Sequence, residues 1–81
     1  MKRNILVRTF DANGCPAQGA RVSVWVYQFL ASGAAGEKYT DSDGEVEFDL
    51  DIDSGAEISL SVNGTERSPR ATPRGEYRFG V

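Results

Sequence analysis

Histidine is absent from this sequence, and cysteine, methionine and tryptophan occur once each. Without histidine and with a single thiol, the usual zinc sites, Ser-His-Asp triads and Cys-His dyads cannot be assembled. One cysteine also excludes an intramolecular disulfide, so stability must come from packing, a composition suited to a reducing compartment. Cys15 follows a glycine in a turn, with Arg21 as its only nearby cation, and reads as an incidental thiol. Phosphate-cradling glycine motifs are missing; the nine glycines are scattered through turns. No cofactor is expected.

Long apolar runs are missing too. The N-terminus offers only Ile5 to Val7, too short for a secretory leader or a membrane span. The expected setting is the cytoplasm, or a larger exported protein from which this domain was cut, and no membrane contact is expected. Basic residues are absent between Tyr39 and Glu66, whereas eight of the twelve acids lie between Asp41 and Glu57. With a net charge of −3 and no continuous basic stripe, nucleic acid is not an expected partner.

What is present is alternation. At 40% hydrophobic and 26% charged residues over 81 positions, the composition is that of one folded domain spanning 1–81. Apolar residues recur with period two and not with helical spacing. Strands are expected over about Arg3–Phe10, Ala20–Phe29, Glu37–Thr40 and Glu45–Ile52. Further strands are expected around Ile58–Val62 and, weakly, Thr65–Ser68, with a last one whose inward face is Tyr77, Phe79 and Val81. Turn signals separate them: Asp11-Ala12-Asn13-Gly14, Asp41-Ser42-Asp43-Gly44, Ser54-Gly55 and the hairpin pair Asn63-Gly64. Ala31–Gly36 reads as a flexible connection, and Pro69 and Pro73 as brackets around an irregular one. Seven short strands predict an all-β, antiparallel Greek-key sandwich. Its core should hold Val22, Val24, Val26, Val46, Phe48, Leu50, Ile58, Leu60, Tyr77 and Phe79.

The segments Val7–Asp11, Asn13-Gly14-Cys15-Pro16-Ala17 through Val24, and Thr40-Asp41-Ser42-Asp43-Gly44-Glu45 resemble the transthyretin-like superfamily. That group includes transthyretin, hydroxyisourate hydrolase, and the carboxypeptidase-regulatory-like and collagen-adhesin B-type repeats. The resemblance covers about half the chain, through the first four strands, and implies a transthyretin-like or Ig-like sandwich with an accessory, adhesive or oligomeric role. It also implies, for the hydrolase branch, a site built on histidines and an arginine. Tyr77-Arg78-x-Gly80 is faintly similar to that branch's C-terminal motif, but with no histidine in the chain that activity is excluded.

Three surface features remain. Glu45, Glu47, Asp49, Asp51 and Asp53 alternate with apolar residues and so project from one face of one strand, about 7 Å apart. They form a solvated, aggregation-resisting face, or else a docking surface for a basic partner or for Arg67, Arg70, Arg74 and Arg78. Asp41, Asp43 and Glu45 are hard oxygen ligands that open like a calcium loop, but glycine stands fourth and not sixth. A turn is the stronger reading, with a weak calcium-binding adhesin-type repeat behind it. On the second strand, inward Val22, Val24 and Val26 leave Trp25, Tyr27 and Phe29 on the opposite face. That aromatic stripe suits protein contact. The function expected is therefore a non-catalytic binding or assembly module meeting a protein partner or its own copy. A carbohydrate module using the same aromatics is the alternative, and an enzyme using surface carboxylates the weakest reading.

Overall fold

A computed structural model describes residues 2–28 and 32–81. Every regular element among them is a strand: β1 (Lys2–Phe10), β2 (Arg21–Tyr27), β3 (Gly33–Tyr39), β4 (Glu45–Asp51), β5 (Glu57–Val62), β6 (Thr65–Ala71) and β7 (Glu76–Gly80). They form two sheets, A in the order β4-β1-β7 and B in the order β3-β2-β5-β6. Buried side chains of both sheets belong to one cluster, so the sheets pack face to face.

Alternation explains the layering. Ile5 and Val7 from β1, Val22, Val24 and Val26 from β2, Phe48 and Leu50 from β4, and Ile58, Leu60 and Val62 from β5 all point into the gap. Nine of the ten expected core residues are buried, and Phe79 is half-buried against the cluster. Val81 is exposed and lies beyond β7, where its amide donates to Phe10 O at 2.7 Å, so it is not part of the inward face.

Three other expectations are corrected. Sheet A is mixed: β1 pairs antiparallel with β4 but parallel with β7, with Val7 opposite Tyr77. Periodicity reports which face a residue occupies and is silent on strand direction. Gly33–Gly36 belongs to β3, paired with β2; the Phe48 ring comes within 3.5 Å of where a Gly36 Cβ would stand, so this edge strand needs no bulky alternation of its own. Pro69 lies within β6, whose pairing to β5 is irregular. Since β6 is an edge, the missing amide of Pro69 costs no interior ladder bond.

The two Asp-led turns fold identically. Asp11 Oδ1 accepts from Asn13 N and Cys15 N, and Asp41 Oδ1 accepts from Asp43 N and Glu45 N, all at 2.9–3.0 Å. Gly14 and Gly44 follow at φ of 80° and 72°. Between these turns two buried threonines organise the sheet ends. Thr9 Oγ1 donates toward Ala17 O (2.8 Å) or Gly44 O (3.1 Å), and Thr40 Oγ1 donates to Ala17 O (2.6 Å) while accepting from Ala20 N.

Candidate binding faces

The outer face of sheet B carries the aromatic feature. With Val22, Val24 and Val26 buried, Arg21, Ser23, Trp25 and Tyr27 of β2 face away from sheet A. Trp25 is 45% exposed. Its cross-strand neighbours are small, Ser59 on β5 and Ala34 on β3, so nothing tall flanks the indole. The β2–β3 register slips between Val24 and Trp25, where Ala35 is the extra residue on β3, so the strand beside the indole is bulged.

Tyr27 is half-buried. Its hydroxyl hydrogen-bonds Ser59 Oγ at 3.3 Å, and the Arg70 guanidinium covers its ring at 4.6 Å while Arg70 Nε donates to Glu57 at 2.8 Å. Phe29 lies outside the described residues. Sequence reasoning missed Tyr39: it stands opposite Arg21, so it shares the outer face, and it is 64% exposed. Its alternation with Glu37 on β3 was the available signal, obscured by reading Ala31–Gly36 as a loop. Trp25 and Tyr39 are about 13 Å apart along the sheet at ~3.3 Å per residue.

The acidic ladder occupies the outer face of sheet A, at the edge strand β4. Register places Glu45 opposite Arg8, Glu47 opposite Leu6, Asp49 opposite Asn4 and Asp51 opposite Lys2. Arg8 Nε lies 3.3 Å from Glu45 and 3.7 Å from Glu76, and Asn4 Nδ2 donates to Asp49 at 2.6 Å. Intramolecular pairing of the ladder thus runs to β1. Of the four C-terminal arginines proposed as partners, Arg70 pairs with Glu57 and Arg78 with Glu76. Asp53 lies past the end of β4, and its amide donates to Gln28 Oε1.

The Arg78 guanidinium bonded to Glu76 holds that carboxyl below the usual glutamate range; slight desolvation opposes this, and the charges of Arg8 and Arg78 assist. At the calcium candidate, Asp41 Oδ1 is committed to two backbone amides. Among the described residues no three acidic or other metal-ligating side chains gather at one point. Cys15 is exposed. No helix among the described residues is long and apolar enough to cross a membrane.

Compared with known proteins, the chain matches no family model and no curated relative.

Proposed function

We propose that this chain is a non-catalytic binding module that meets a protein partner through the outer face of sheet B, with Trp25 as its anchor. The supporting observation is the near-half exposure of Trp25 on a sheet face whose flanking residues are serine and alanine. A solvated indole among small side chains is the arrangement that protein interfaces enrich and that burial on binding rewards. Tyr39 extends the face, and Tyr27, held by Arg70 and Ser59, is its preorganised end. The two-sheet, seven-strand arrangement and the paired Asp-led turns support placing the domain with the transthyretin-like, carboxypeptidase-regulatory-like sandwiches of Greek-key type, with a parallel β1–β7 pair as its departure from the antiparallel pattern.

The carbohydrate alternative draws on a polar hollow of about 440 Å³ beside Tyr27, lined among others by Gln28, Asp53, Ser54 and Arg70. An aromatic ring with planar polar groups is the chemistry that holds a sugar, although Arg70 already covers one face of the Tyr27 ring. The protein reading is favoured because the free aromatic surface is Trp25, outside that hollow.

A photo-crosslinker placed at position 25 should yield a defined protein adduct. The untagged chain should compete the adduct away, and Trp25→Ala should compete roughly 30-fold less well, the loss of a hot-spot aromatic. Adducts equally abundant from position 45, or Trp25-dependent binding on a glycan array without protein adducts, would overturn the proposal.

A further inference from the structure

The strand orders leave two open sides to the sandwich, one bounded by β3 and β4 and the other by β6 and β7. Charge is divided between them. The β6–β7 side holds a cleft of about 510 Å³ lined by Arg67 and Pro69 from β6, by Glu76, Arg78 and Phe79 from β7, and by Arg74 from the connection between them. Among the described residues, Arg67 and Arg74 have no carboxylate at ion-pair distance. The Arg74 guanidinium lies 6.0 Å from the Tyr77 ring centre, and Glu76 serves both Arg78 and Arg8. Three guanidiniums therefore face one carboxylate. The β4 edge is the converse: Glu47 and Asp49 stand exposed on its outer face, where among the described residues Asn4 of β1 donates to both side chains.

We propose that copies of this chain associate head to tail, the acidic β4 side of one seated in the arginine cleft of the next. Charge complementarity selects the occupant, since the chain itself carries the extended acidic strand that the cleft lacks. Ladder and cleft lie at opposite edges of sheet A, so the contact is heterologous, and it either runs on as a chain of copies or closes into a ring. Lys38 defines the kind of contact. Its ammonium donates to Glu47 O at 2.9 Å, across the open edge of β4, and so obstructs continuation of the sheet through main-chain bonds. The copies are joined by side-chain ion pairs, which salt screens. This surface is separate from the Trp25 face.

Sedimentation of the whole chain tests the proposal. At about 0.05 M salt the chain should form concentration-dependent oligomers, with affinity falling at least about tenfold by about 0.5 M. A cleft variant (Arg74→Glu, Arg78→Glu) and a ladder variant (Glu47→Lys, Asp49→Lys) should each be monomeric. Mixed, they should associate, the intact ladder of the first meeting the intact cleft of the second. The neutral variants Arg74→Gln, Arg78→Gln, still melting in one cooperative transition, should weaken association without loss of the fold. Trp25→Ala should leave it intact. The proposal is overturned if the wild-type chain stays monomeric at low salt, if the mixed variants stay apart, or if Trp25→Ala abolishes association. It also falls if a polyglutamate peptide fills the cleft while the chain does not associate with itself.

Discussion

Gly14 and Gly44 occupy matching turns with matching hydrogen bonds, yet their surroundings differ. A Cβ at Gly14 would meet open space, whereas one at Gly44 would lie 2.7 Å from Thr9 O and 2.9 Å from Ala17 N. Both positions carry the left-handed backbone penalty of about 1–2 kcal/mol for alanine, and Gly44 adds a backbone collision. Urea denaturation should therefore show Gly14→Ala lowering stability by about 1 kcal/mol. Gly44→Ala should cost about 3 kcal/mol or more, the scale of named large effects. At Glu76 the prediction concerns pH. Because its folded pKa is depressed, the stabilisation by Arg78 and Arg8 is complete above the unfolded glutamate value and is lost as pH falls through the folded one. An NMR titration should place the Glu76 midpoint below that of a free glutamate, and Arg78→Gln should move it back up.

At the level of elements, the edges carry the consequences. Four strands have a free side: β4 and β7 in sheet A, β3 and β6 in sheet B. β6 is guarded by Pro69 and by its irregular pairing, and β4 by the Lys38 ammonium lying over the Phe48 ring at 5.4 Å and bonded to Glu47 O. Removing that guard exposes a strand whose alternation of apolar and acidic residues is held soluble by charge alone. Lys38→Ala is thus expected to unfold within about 1 kcal/mol of the parent, and to raise thioflavin-positive aggregation at high salt, which screens the β4 charges. Equal aggregation of the two proteins would show that Lys38 guards nothing. The β5–β6 hairpin is held by Asn63 at φ 52° and Gly64 at φ 84°, with Asn63 Oδ1 accepting from Arg21 N and so tying the turn to β2.

Across the whole molecule the chain closes on itself. β1 is the central strand of sheet A and takes its two partners from β4 and from the C-terminal β7, some seventy residues away. Tyr77 is buried on the inward face, and its hydroxyl accepts from Arg74 N at 2.9 Å. Sheet A is completed only when the last strand arrives, and non-local pairing of this kind slows folding. Deleting residues 76–81 should abolish cooperative unfolding in circular dichroism melts, because it bares the edge of β1 and removes Tyr77 and Phe79 from the core. A truncated chain that still melts in one sharp transition would show that β7 is dispensable.

Much of this was written in the residues themselves. Strict alternation at Val22–Val26, Val46–Leu50 and Ile58–Val62 determined the strands and the side each residue faces, since period two leaves no other way to bury one set. Asp-x-Asn-Gly and Asp-x-Asp-Gly determined two turns, and Asn63-Gly64 a hairpin, because their side chains bond local backbone and need no distant partner. The outward placement of Trp25 and Tyr27 followed from the same alternation. Only the tertiary structure decided the parallel β1–β7 pair, the inclusion of Gly33–Gly36 in β3 and hence the place of Tyr39 on the same outer face as Trp25, and the pairing of the acidic strand with β1. These are matters of which strand lies beside which. Periodicity and turn chemistry act over a few residues, whereas neighbouring strands are chosen by how two sheets bury a shared core.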